Sequence, residues 1–324
     1  MKKIIDPVST EILKSQLTKD KFLRTTNHGG NEIYVVDNNN APDVIREIGR
    51  LREEAFRAGG GGTGRELDID KFDTDAAYGY KQLVLWDPEA ERIIGGYRYV
   101  LCDDIVYDKN GQPILTSSHM FRFSKKFIKN DFQHTIELGR SFVTIDYQSS
   151  KGGAKSIFAL DNLFDGLGAL MVMYKGRMKY FFGKMTIYRQ YPTPAREIIQ
   201  VFLNKWFGAA KMHRVKLVKP ARVKRPLKYM KVLKGLTFKD DYRHLKAFVS
   251  DFGVNIPPLV NSYMNLSPKM QYFGTGINDE FGDIYDSGIL IPFKYITDDK
   301  ITRHVKTLTP KLLIPLRNLL RRKY

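Results

Sequence analysis

Apolar residues recur every three or four positions in several stretches of the chain, which is the spacing that lines one face of a helix. Val44, Ile45, Ile48, Leu51, Ala55 and Phe56 predict a helix that opens near Pro42–Asp43 and stops at the glycine run Gly59–Gly62. Ile157, Leu160, Leu163, Phe164, Leu167 and Met171 predict a second, of about 17 residues, after a turn at Gly152–Gly153. Ala195 to Phe207 and a shorter stretch from Pro257–Pro258 through Tyr263 read the same way. Short β-rich runs predict strands near Ile33 to Val36, Phe142 to Ile145, Lys179 to Ile187, Met270 to Thr275 and Ser287 to Pro292. Gln82 to Asp87 and Ile93 to Leu101 suit a hairpin turning at Asp87–Pro88. Strands alternating with helices indicate an α/β or α+β sheet domain, preceded by a polar arm over residues 1–40. No internal repeat is visible.

Composition narrows this further. The 324 residues allow one large domain or two modest ones, and 43% hydrophobic content excludes a wholly disordered chain. Cys102 is the sole cysteine, so disulfide frameworks and cysteine-based zinc sites are excluded. The start lacks an apolar run of signal-peptide length, and the best apolar window, Leu167 to Tyr174, is too short to span a bilayer. The expectation is a cytoplasmic protein, soluble or peripheral on the inner face of the cytoplasmic membrane.

The net charge of +18 is confined to two segments. Lys205 to Lys246 holds 14 Lys/Arg against Asp240 and Asp241, and Lys300 to Tyr324 holds 8 with no acid; the rest is nearly neutral. A solvated basic face, nucleic-acid binding, and attraction to an anionic membrane or an acidic protein are the competing readings. No nucleic-acid is expected as a partner, because helix-turn-helix, zinc-finger and RNA-recognition signatures are missing. The tail TPKLLIPLRNLLRRKY mixes leucines with arginines as an interfacial helix does, although Pro310 and Pro315 interrupt it.

Dehydrogenase, nucleotidase and zinc-hydrolase chemistries find no support. No GxGxxG follows a strand, KGGAKS at 151–156 lacks the leading glycine of a Walker A loop, and the six histidines form no HExxH pair. Four short motifs remain: Arg52-x-x-x-Phe56 on the first helix, Asp68-x-Asp70-x-x-Asp73 with Tyr78 after the glycine loop, GGYRYV with Arg98, and ELGR with Glu137 and Arg140. Ionisable groups at strand ends must pair if buried, because an unpaired charge there costs several kcal/mol.

In this order the motifs resemble the autoinducer-synthase-like branch of the GNAT acyltransferases, and more closely its hemolysin-like branch, which includes the ornithine-lipid and glycine-lipid N-acyltransferases. The stretch PPLVNSYMNLSPKMQYFGTGINDEFGDIYDSG extends the likeness through Pro258, Leu259, Tyr263, Asp279, Phe281 and Asp286. The resemblance covers roughly residues 43–296 and skips the basic segment. It implies a GNAT-like domain over 41–297, with a mixed, mostly antiparallel central sheet flanked by helices, a basic helical insertion at about 190–250 and a basic tail over 298–324.

The resemblance also implies a chemistry. A long acyl chain would pass from a phosphopantetheine thioester, acyl-acyl carrier protein or else acyl-CoA, to the α-amine of a small amino acid, glycine first and ornithine second. No permanently bound cofactor or metal is implied. A bulged strand at Phe142 to Ile145 would offer backbone N–H groups of Val143 and Thr144 to the thioester oxyanion. Glu137 would be the general base, taking the amine proton through a water, or else the ion-pair partner of Arg98 or Arg140. Asp70, Asp73, Arg98 and Arg140 would form an ion-pair network shaping the substrate site. Arg52 and Phe56 would flank the acyl entrance, with Gly59–Gly62 as a mobile flap. Ser149, Lys151, Gly152, Gly153 and Ala154 would hold the donor phosphate. Phe158, Phe164 and Met171 read as core residues before tunnel residues, and Cys102 as a buried strand residue. Acyl carrier protein, being acidic, would suit the basic segments, as would an anionic membrane surface. Homoserine-lactone synthesis, and a non-enzymatic binder on a degenerate acyltransferase fold, are the alternatives.

Overall fold

A computed structural model describes residues 1–148, 154–209, 212–282 and 284–308. In chain order its elements are α1 (Thr10–Gln16), β1 (Phe22–Thr25), β2 (Glu32–Val36), α2 (Pro42–Ala58), α3 (Lys71–Thr74), β3 (Lys81–Asp87), β4 (Arg92–Leu101), β5 (Phe121–Phe123) and α4 (Lys125–Asn130). Then follow β6 (Thr135–Val143), α5 (Ala154–Met173), β7 (Tyr180–Ile187), α6 (Thr193–Phe207), β8 (Val215–Leu217) and α7 (Pro226–Met230). The last are α8 (Phe238–Ser250), α9 (Pro258–Met264), β9 (Gln271–Asn278), β10 (Ile284–Pro292) and α10 (Asp298–His304). The chain divides into two compact units, one comprising Met1–Val106, Gln133–Lys179 and the residues from Thr297 on, the other Tyr107–Phe132 and Tyr180–Ile296.

The first unit is an antiparallel sheet flanked by helices, in the strand order β1-β2-β3-β4-β6. Leu83, Val84, Leu85 and Trp86 of β3 are all buried, a continuous apolar run that requires cover on both faces. Alternation along β3 assigns the covers. The Gln82 side chain meets Arg52 of α2, whereas Leu83 lies against α5, where a Cβ on Gly166 would come within 2.6 Å of it. The apolar stripe of α2 expected from the sequence is buried in full.

The N-terminal residues are not a free arm. β1 adds a strand to the sheet, Val8 N–H bonds the Glu47 carboxylate at 3.0 Å, and Leu13 and Leu17 are buried. Within the same unit α10 packs on α5. His304 Nδ1 lies 2.8 Å from the buried Asp165 carboxylate, which also accepts from the Asn27 amide at 2.7 Å. A Cβ on Gly168 would lie 2.2 Å from the His304 carbonyl oxygen, so only glycine permits this approach.

The second unit pairs β7, β10 and β9 antiparallel, and β5 with β8. Its core is aromatic: Phe121, Phe123, Phe127, Phe132 and Phe182 are buried with adjacent rings at 5.1–6.0 Å. The basic stretch expected to be a helical insertion contains β8 as well as helices, and α6 at its start is a core helix with Ile198, Ile199, Phe202 and Leu203 buried.

Candidate active site

The antiparallel register of the first unit sets a row of polar side chains on the sheet face toward α2. Gln82 pairs with Arg98 and Val100 with Glu137, so Tyr80, Gln82, Arg98 and Glu137 share that face by the two-residue alternation. Arg98 and Glu137 are each about 1% exposed. From the other side, α2 supplies Arg52 and the segment before β3 supplies Asp68, Asp70 and Asp73.

Three guanidiniums and three carboxylates interlock there. Arg52 bonds Asp73 at 2.9 Å and Gln82 at 2.5 Å, while Gln82 also donates to Asp73 at 2.8 Å. Arg98 reaches Asp70 and Asp73, both at 2.7 Å. Arg140 lies 2.8 Å from Asp68 and 3.9 Å from Asp70. Asp70 and Asp73 also build the start of α3 as a reciprocal capping box, Asp70 accepting from the Phe72 amide and Asp73 from the Asp70 amide. Local geometry and long-range pairing therefore hold the same two carboxylates.

The carboxylates feel this network in opposite ways. Burial raises the Asp73 carboxyl, but Arg98 and Arg52 more than offset it and hold the group well below the usual carboxylate range. Burial also acts on Asp68, and there it prevails over Arg140 and Arg52, so Asp68 is raised. For Arg98, burial is outweighed by Asp73 and Asp70, which raise it; for Arg52, burial prevails and lowers it.

A β-bulge places Arg140. Between the pairs Arg98↔Gly139 and Gly96↔Phe142, β6 advances three residues while β4 advances two. Arg140 takes up the extra length at φ 48, in the left-handed region. Strict alternation would turn Arg140 away from the face that Glu137 occupies; the bulge lets it reach Asp68.

Glu137 accepts a short hydrogen bond from the Tyr80 hydroxyl, and the Tyr80 ring lies 5.5 Å from the Arg98 guanidinium. Neither Tyr80 nor Gln82 stood out in the sequence. Their spacing of two, just before and within β3 and ahead of its apolar run Leu83 to Trp86, was the available signal.

Several expectations change. The bulged strand begins at Thr135 and ends at Val143, not Phe142 to Ile145, because buried polar residues on its first half masked its apolar pattern. The Thr144 amide donates to the Ile94 carbonyl at 3.0 Å and is already engaged, so it is not an oxyanion donor. The alternating ladder then turns the Val143 amide toward the opposite edge of the strand, away from β4. Arg52 and Phe56, expected at the acyl entrance, are both buried, and Arg52 is turned into the ion-pair network. The glycine loop is pinned rather than a loose flap: the Glu53 carboxylate accepts from the amides of Thr63 at 2.9 Å and Gly64 at 2.8 Å, and from Arg57 at 2.7 Å. Phe164 is buried, Phe158 stacks on His28 with centroids 4.7 Å apart, and Cys102 is buried with its thiol pushed up. Ser149, Lys151, Gly152 and Gly153 lie outside the described residues, and Ala154 begins α5.

Among the described residues no group of His, Cys, Asp and Glu is arranged to hold a metal ion. The arrangement does offer a buried carboxylate, Glu137, on a bulged strand beside a fixed ion-pair network.

Residues 51–155, which contain every member of this network, match the family model described as an acetyltransferase (GNAT) domain. The chain is 52% identical over 311 residues, 95% of its own length and 94% of the other's, to a glycine N(alpha)-acyltransferase of Phocaeicola vulgatus. It is 53% identical over 311 residues, 95% of its length and 90% of the other's, to a protein of the same name from Bacteroides thetaiotaomicron. No solved structure matches it.

Proposed function

Because this chain belongs to the GNAT N-acyltransferases and is an acyltransferase, we propose that it moves a long fatty acyl group from acyl-acyl carrier protein to the α-amine of glycine, as the first step toward an aminolipid. The glycine preference over ornithine rests on the names of the two relatives. The donor and the lipid destination rest on the likeness read from the sequence. The observation that carries the mechanism is Glu137, a buried carboxylate held by Tyr80 on the strand that bulges at Arg140.

In this reading the glycine amine attacks the thioester carbonyl carbon and a C–N bond forms. Glu137, through a water, removes one proton from the nitrogen as its charge develops. The carbonyl oxygen becomes an oxyanion, for which the Val143 N–H is the donor. Collapse of the tetrahedral intermediate breaks the C–S bond, and the thiolate leaving with phosphopantetheine takes up a proton. The ion-pair network keeps β4, β6 and α3 in register, so that base and donor hold their positions without rearranging during the reaction. The helix that starts at Ala154 follows directly in sequence on the stretch expected to meet the donor phosphate.

The test is direct. Purified protein mixed with palmitoyl-acyl carrier protein and glycine should yield N-palmitoylglycine by mass spectrometry, and Glu137→Gln should lower kcat by about 10²–10⁴. Product from ornithine but not glycine would overturn the acceptor, and undiminished turnover by the Glu137→Gln protein would overturn the base.

A further inference from the structure

From Lys216 to Lys239 the second unit carries nine Lys/Arg and no Asp or Glu. This stretch is held in place rather than loose. Tyr229 of α7 is buried and donates its hydroxyl to Glu197 of α6 at 2.8 Å. Lys205 Nζ, also on α6, donates to the Leu233 and Gly235 carbonyls at 2.9 and 3.0 Å and pairs with the buried Asp241 at 2.5 Å. Asp241 in turn accepts the Gly235 amide at 2.7 Å, and a Cβ on Gly235 would lie only 2.7 Å from the Asp240 side chain. Leu233 is buried against this frame.

The same frame drives other apolar side chains outward. Leu236 is 95% exposed and Leu227 77%, with Met230 exposed between them in sequence. Each leucine has exposed cations beside it, Arg225 and Lys228 around Leu227, Lys234 and Lys239 around Leu236. A loose loop could fold such side chains back, but a pinned turn cannot. Large apolar groups fixed in water mark a surface that is covered in use. Charge alone would serve an acidic protein; leucine tips set among lysines match an interface that is anionic outside and hydrocarbon just beneath.

We propose that the α7 face of the second unit docks on an anionic lipid bilayer, its lysines and arginines among the headgroups and Leu227 and Leu236 below them. This goes beyond the acyl transfer and does not depend on it, since docking needs no turnover.

Vesicle flotation of the full chain tests it. Binding should appear with phosphatidylcholine vesicles containing about one-third phosphatidylglycerol and be weak with phosphatidylcholine alone. The double variant Leu227→Gln/Leu236→Gln, whose substituted positions are on the surface and whose folding is checked by circular dichroism, should bind about tenfold less tightly. Equal binding by both proteins, as attachment through another basic segment would give, overturns the proposal, as does failure to bind anionic vesicles. It is equally overturned if the double variant keeps its vesicle affinity and loses affinity for purified acyl carrier protein.

Discussion

Asp68 and Asp73 lie in one ion-pair network yet respond to pH with opposite sign. Asp73 is depressed in the folded protein, so the stability it contributes is full above its unfolded value near 4 and is lost as pH falls through the lower folded value. Asp68 is raised, so its favourable contribution is greatest below its unfolded value and is lost as pH rises through the folded one. At neutral pH, Asp73→Asn should therefore lower unfolding free energy by about 3–5 kcal/mol, because it takes from the buried Arg52 its paired carboxylate and leaves Arg98 with Asp70 alone. Asp68→Asn should be the milder change. Urea unfolding of the two variants at pH 7 checks the ranking. Repeating it from about pH 5 down to about pH 3 should show the wild-type midpoint falling toward that of Asp73→Asn.

At the scale of single elements, glycines decide whether neighbours can approach. In β4, a Cβ on Gly96 would lie 2.7 Å from the Leu83 carbonyl oxygen, and one on Gly95 2.8 Å from that of Phe142. Gly96→Ala should lower stability by about 1–3 kcal/mol, read from the thermal midpoint, because the sheet must part beside the bulge. Gly168→Ala should release α10 from α5, and hydrogen exchange at residues 298–304 should accelerate while the sheet amides stay protected. The sequence shows α2, α5, α6 and the β3–β4 hairpin clearly, since each carries its apolar residues at one regular period. It hides the first half of β6, where Glu137, Gly139 and Arg140 interrupt the alternation for the sake of pairing across the sheet. The motif residues Asp70, Asp73, Arg98 and Arg140 are legible as a group that must pair. Tyr80 and Gln82 join it only through strand register, of which their spacing of two is the one local trace. Arg52 and Phe56 look exposed beside a glycine run, and only Glu53, gathering the loop's amides, shows why they are enclosed.

For the molecule as a whole, charge is the dominant long-range property. With +18 overall, encounter with an acidic carrier protein should be steered and salt-sensitive. Raising sodium chloride from about 50 to about 500 mM should raise KM for acyl-acyl carrier protein several-fold and leave kcat nearly unchanged. An acyl-pantetheine donor, which has no phosphate, should show little change; equal salt dependence for both donors would remove the carrier protein from the reading. No helix among the described residues is long and apolar enough to cross a membrane.

The docking of α10 on α5 also bears on how the chain is made. The first unit draws its parts from three separate stretches, the last of them beginning at Thr297. While the ribosome is still extending the polypeptide, Asp165 and the Gly168 groove wait uncovered until His304 emerges, and the second unit has by then been synthesised in full. The unit holding the candidate catalytic residues therefore closes only after the second unit has been made, so a product stopped before Thr297 would carry that unit without its α10 cover.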